Sequence, residues 1–127
     1  MSVKFKVVSK KNPQDLVAPV KFYASAVGFG KTNLDKLAKM ISIQCTVTEA
    51  DCYAVLVSLE TNIISELEEG RIVKLGRLGN FQVGLSSEGM PTEEGVTSHA
   101  IVNNRIRFRP GERLRDFLQT VKYEKLP

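Results

Sequence analysis

Histidine is almost absent from this chain, cysteine is scarce, and no apolar run is long enough to span a bilayer. The lone His99 excludes a histidine-based metal cluster, and any Ser-His-Asp or Cys-His pair would rest on it alone. It falls beside Ser98 on an expected strand, where a surface role is the ordinary one. Cys45 and Cys52 are too few for a disulfide framework, and neither has the close Cys or His neighbours that zinc requires. Both read as reduced core residues, since free cysteine is among the most buried residue types. The longest apolar stretches fall well short of the ~18 residues of a membrane span. Met1-Ser2-Val3-Lys4-Phe5-Lys6 alternates charge with apolar residues instead of entering a signal-peptide apolar region, so a cytoplasmic protein is expected. There is no internal repeat, no low-complexity tract and no carboxylate pair spaced for acid/base work. Its glutamates gather in loops and at an exposed helix end, where solvation accounts for them.

What is present fits one domain. A chain of 127 residues with 43% hydrophobic content can bury a genuine core. The net charge of +4 permits nucleic-acid binding without requiring it. Its distribution says more. Five arginines lie between Arg105 and Arg115 against only Glu112 and Asp116, while Glu66, Glu68, Glu69, Glu88, Glu93 and Glu94 form acidic patches elsewhere. One face is thereby marked for polyanions.

Residues 3–8 alternate Val3, Phe5 and Val7 with Lys4 and Lys6, the period of a half-buried strand, and residues 20–27 alternate again. Between them Asn12-Pro13 and Pro19 signal turns. Thr32-Asn33-Leu34-Asp35 opens a helix whose Leu34, Leu37, Ala38, Met40 and Ile41 share a face, ending near 44–47. The same start signal recurs at Thr48-Glu49-Ala50-Asp51 and predicts a longer helix to about Glu69, with Gly70 placed to end it. In that helix residues 52–59, CYAVLVSL, hold Ser58 as the one polar side chain, so it is apolar almost all round for two turns. A small monomer has little mass to cover such a helix. A second copy of the chain is the simplest cover, burial against its own sheet the alternative.

Past Gly70 the period changes: Ile72, Val73 and Leu75, a turn at Gly76–Gly79, then Phe81, Val83 and Leu85 read as a β-hairpin. Residues 86–95 form a polar loop, and strand character returns over 96–109. At 105–109, RIRFR puts Arg105, Arg107 and Arg109 on one face and Ile106 and Phe108 on the other. A β-ribbon carrying arginines at every second residue can track phosphates along a groove; a solubilising outer face is the bland alternative. A short helix over 112–120 and a strand over 121–125 complete the chain.

Gly30-Lys31-Thr32 follows a strand and precedes a helix, like the end of a phosphate-binding loop. That loop needs glycine at 25, where Ser25 stands, so a nucleotide enzyme relying on Lys31 is only a remote alternative.

The order helix, turn, long helix, hairpin, arm-like loop, strand and C-terminal helix over residues 32–120 resembles the HU/IHF family of bacterial histone-like DNA-binding proteins. Gly70, Val73, Leu75, Gly76, Leu78, Gly79, Phe81 and Val83 are similar to the family's G-x-x-V-x-L-x-x-F-G-x-F-x-V hairpin, with Leu78 replacing its phenylalanine. Phe108, Gly111 and Leu114 fit its F-x-x-G-x-x-L junction. The resemblance implies an α+β, IHF-like DNA-binding fold: a helix-turn-helix pair, a saddle of β-hairpin and arm, and a C-terminal helix in an intertwined dimer. Residues 1–31 and 121–127 lie outside the basic plan and resemble the subfamily extended by extra strands. An N-terminal β-hairpin extension (1–31) is expected, paired with a C-terminal strand (121–127), around a DNA-binding domain over 32–120.

The implied function is non-catalytic. A homodimer would bind double-stranded DNA with low sequence specificity and bend or package it in the nucleoid, without cofactor, metal, small-molecule substrate or membrane. The expected DNA-binding residues are Arg77, Arg105, Arg107, Arg109, Arg113 and Arg115. The family arm is long and basic with a proline wedge at its tip; here the loop is shorter and holds Glu88, Glu93 and Glu94, leaving Met90 and Pro91 as the apolar wedge. Glu112 stands where lysine is common. The acidic loop supports a rival reading, an HU-like dimeric scaffold that has lost DNA binding.

Overall fold

The computed structural model describes residues 1–127 and divides into two compact units, Met1–Asn33 with Leu118–Pro127, and Leu34–Phe117. It is a mixed α+β structure with three α-helices and two three-stranded sheets. No helix is long and apolar enough to cross a membrane.

The first unit is a sheet in the order β2-β1-β6. Strands β1 (Val3–Lys10) and β2 (Lys21–Val27) run antiparallel, and β6 (Tyr123–Lys125) joins β1 in parallel. Each alternating strand thus gives its backbone groups a partner. Alternation splits the sheet into two faces: Val3, Phe5, Val7, Ala24, Ala26 and Tyr123 lie on one, Lys4, Lys6, Lys10, Lys21 and Tyr23 on the other. Glu124 is tied to Lys4 by an ion pair and accepts from the Ser2 hydroxyl at 3.0 Å. These contacts hold its carboxyl below the usual carboxylate range.

The second unit begins with α1 (Leu34–Gln44) and α2 (Glu49–Glu68), packed against each other. Thr48 caps α2, its hydroxyl accepting from the Asp51 N–H at 3.2 Å. At the other end Gly70, at φ +78°, lets its own N–H reach Leu67 O and the Arg71 N–H reach Glu66 O, which satisfies the last carbonyls. On α1, Ala38 is fully buried, whereas Leu37, Met40 and Ile41 of the expected apolar face stay exposed. On α2, Cys52 is buried and Leu56, Ile63 and Leu67 half-buried, a stripe at intervals of four, seven and four residues, while Tyr53, Val55, Val57, Leu59 and Ile64 are exposed. At about 100° per residue these apolar positions sweep roughly 200° of the helix. The chain covers only the middle of that arc.

Strands β3 (Val73–Lys74), β4 (Gly79–Ser87) and β5 (Ile101–Pro110) form the second sheet in the order β3-β4-β5, all antiparallel. The hairpin expected from 72–85 is present, though β3 keeps only two residues in register. Phe81 pairs with Phe108 across β4 and β5, their ring centroids 5.0 Å apart. Helix α3 (Glu112–Thr120) starts against the β3–β4 turn, Gly111 N–H donating to Leu78 O at 2.9 Å and Arg113 N–H to Arg77 O at 3.2 Å. A Cβ at Gly111 would lie 2.3 Å from the Arg77 carbonyl oxygen, so only glycine permits this approach.

Three expectations need correction. Val96–Ala100 is not strand; it holds one tight turn of helix over Ser98–Ala100, which places His99 there, and β5 starts at Ile101. Cys45 is exposed, because α1 ends at Gln44 and the thiol sits in the interhelical turn, donating to Ile41 O at 3.1 Å. Ser25 lies inside β2 opposite Lys6, so no loop can wrap a phosphate from that position and the nucleotide-enzyme alternative loses its basis.

Candidate nucleic-acid interface

The β4–β5 ribbon has two chemically distinct faces. Register places Phe81 opposite Phe108 and Val83 opposite Ile106 on one side. On the other, Asn80 faces Arg109, Gln82 faces Arg107 and Gly84 faces Arg105. The ribbon thus presents apolar side chains on one side and a row of arginines on the reverse.

Gly84 makes room for two of them: a Cβ there would meet Arg107 Nε at 2.8 Å and Arg105 Cγ at 3.3 Å. Arg105 bends back over its own hairpin, donating to Leu85 O at 3.0 Å and Ser86 Oγ at 2.9 Å. Those bonds fix the guanidinium against the sheet and leave further donors of its five-donor fork unspent. Arg107 and Arg109 line a small depression of about 100 Å³ with Lys74, Asn80 and Gln82. None of the three arginines takes part in the ion pairs Lys4–Glu124 or Arg71–Glu66.

Lys74 was not legible as part of this face. Its strand is two residues long, too short for any alternation, and only the register Val73↔Phe81, Lys74↔Asn80 reveals that it shares a side with Arg109. Asn80 and Gln82 likewise appear as strand spacers in sequence and as polar floor in the structure.

The remaining expected residues are distributed around the ribbon. Arg77 is in the β3–β4 turn, its carbonyl accepting from Arg113. Arg113 and Arg115 lie in the first turn of α3, where the chain leaves the basic strand, and Glu112 precedes them. Met90 and Pro91 lie in the loop beyond Ser87, which is closed by a bond from Glu88 N–H to Ala100 O at 2.8 Å and by a helical turn over Glu93–Gly95 capped by Thr92. The loop tip is therefore compact, acidic and partly apolar, and continues neither strand as an extended arm.

The fold and this ribbon define an HU-type domain. The sequence matches a family described as an HU domain fused to a winged helix-turn-helix, an Ig or a glycine-rich motif, over residues 1–125, and the chain belongs to that family, HU-HIG. Its fold is similar to a crystal structure from Bacteroides vulgatus ATCC 8482 described as a candidate bacterial DNA-binding protein, with a TM-score of 0.68 at 12% identity. That match covers 98% of this chain and 48% of the other, so the chain spans about half the length of that protein. Among curated proteins nothing matches.

Proposed function

We propose that the protein binds duplex DNA as a homodimer, through phosphate contacts with little sequence preference, and bends or packages it in the nucleoid without catalysing a reaction. The observation that carries this reading is the one-sided ribbon: Arg105, Arg107 and Arg109 aligned with Lys74 on a face with no carboxylate partner, backed by an apolar reverse side. Arg77, Arg113 and Arg115 extend the positive surface, and Met90 with Pro91 supplies the apolar contact of the kind that inserts at kinks. Membership of an HU-domain family and the likeness to the Bacteroides vulgatus protein support it. The dimer is supported by the bare flanks of α2, since Tyr53, Val57 and Ile64 are exposed apolar side chains in a single chain.

A specific observation favours a second reading, a dimeric HU-like scaffold without DNA affinity: Glu88, Glu93 and Glu94 gather in the loop where an arm would embrace the duplex. Fluorescence anisotropy with a random duplex separates the two. If the dimer neutralises about six phosphates, log K falls against log salt with a slope of roughly −5. The triple substitution R105E/R107E/R109E then removes binding and preserves the dimer. Absence of binding to the wild-type protein at low salt would leave only the scaffold.

A further inference from the structure

Lys10 and Lys21 stand directly opposite one another across β1 and β2. Like charges in that position repel, at a cost the sheet must absorb. No carboxylate relieves them: neither lysine takes part in the Lys4–Glu124 or Arg71–Glu66 ion pair. Asp15, the acidic residue of the intervening loop, spends an oxygen on the Val17 N–H at 3.1 Å, while Asn12 Oδ1 accepts from the Gln14 N–H at 2.9 Å. These bonds fold the loop on itself and leave a depression of about 330 Å³ lined by Lys10, Lys11, Asn12, Lys21 and Tyr23. The Lys10 ammonium sits over the Tyr23 ring, 5.6 Å from its centre.

Three lysines lining one open hollow beside an aromatic ring have the chemistry of a phosphate site, because lysine meets phosphate as an unshaped point charge. An anion between Lys10 and Lys21 turns their repulsion into a bridge. The positive face does not stop at the hollow. Lys6 lies on the same side of β1, so charge extends over roughly 13 Å of strand at about 3.3 Å per residue. That reach exceeds one small anion and suits a backbone carrying a charge every ~1.7 Å of duplex axis. The exposed Tyr23 ring adds a surface on which a sugar or base can lie.

We propose that the lysine face of the N-terminal sheet, centred on Lys10, Lys11 and Lys21, is a second binding site for the phosphodiester backbone of nucleic acid. The inference rests on the proposed nucleic-acid function but places a contact outside the HU-type unit, in strands for which that function has no role.

The test is a ¹⁵N NMR titration of the full chain at low salt with a short random duplex, and in parallel with inorganic phosphate at equal phosphate concentration. The expected result is saturable shifts at Lys10, Lys11, Asn12, Lys21 and Tyr23 with the duplex and much weaker ones with inorganic phosphate. Shifts confined to β5 and its surroundings overturn this site and leave the proposed function standing. Shifts at the lysine hollow with none along β5 do the reverse. Equal response to inorganic phosphate overturns a nucleic-acid site in favour of a small-anion pocket. The variant K10Q/K11Q/K21Q, whose sheet amides serve as the folding control, should flatten the salt dependence by about 0.9 for each phosphate that is no longer neutralised. An unchanged slope overturns the proposal.

Discussion

Replacing Ile64 by glutamate is expected to dissociate the homodimer while α2 stays helical. Glutamate is a better helix former than isoleucine, which offsets the small cost of placing it one turn from Glu60 and Glu68, so the 20-residue α2 should stay helical. Ile64 is 51% exposed in a single chain. Covering that remaining half is worth about 0.8 to 1.5 kcal/mol, taking roughly 1.5 to 3 kcal/mol for complete burial of such a side chain. Two-fold symmetry doubles the loss to about 1.5 to 3 kcal/mol. Two carboxylates drawn out of water add several kcal/mol each. At 1.4 kcal/mol per factor of ten, the dimer dissociation constant rises by at least about 100-fold. Sedimentation equilibrium across the micromolar range reads this directly, with far-ultraviolet circular dichroism reporting that helix is retained. The reasoning is refuted if I64E associates as tightly as wild type, or if wild type itself sediments as a monomer at micromolar concentration.

Other expectations concern single contacts. Gly111→Ala puts a Cβ 2.3 Å from Arg77 O, so α3 must shift off the β3–β4 turn, and a loss of about 2 kcal/mol or more should appear as a fall in Tm by calorimetry. Ellman's reagent should modify the exposed Cys45 rapidly and Cys52 slowly, since burial, with the neighbouring Cys45 thiol, pushes the Cys52 thiol above its ordinary range; equal rates in the C45S and C52S variants would contradict this. For Glu124, the depressed carboxyl contributes stability above the ordinary carboxylate value of about 4.3, and that contribution disappears as pH falls through the lower folded-state value. Amide exchange along Tyr123–Lys125 should therefore accelerate in acid, and E124Q should remove that pH dependence.

Helix starts and stops were legible because they depend on single residues acting locally. Thr48 with Asp51, and Gly70 after Glu69, determine the ends of α2 whatever surrounds them. Alternation disclosed β1, β2 and the arginine ribbon for the same reason. The misplacements have a common physical origin. An apolar face in a sequence carries no mark of what will cover it, so Leu37, Met40 and Ile41 read as core yet lie bare within one chain. Cys45 read as core on composition alone, while its place one residue past α1 puts it in solvent. Lys74, and the facing of Lys10 with Lys21, depend on register across a turn or a ten-residue loop, which no local pattern specifies.

The bonds from Val3 N–H to Lys122 O and from Leu126 N–H to Phe5 O join positions far apart along the polypeptide. During synthesis β1 can pair with β2 early, but its other edge lacks the β6 partner until residues 122–126 leave the ribosome. For that interval the nascent chain carries an open edge able to recruit any extended segment nearby. Closure of this ring must wait for every element between the two strands to be made, and stalling translation before residue 123 should leave the edge unsealed.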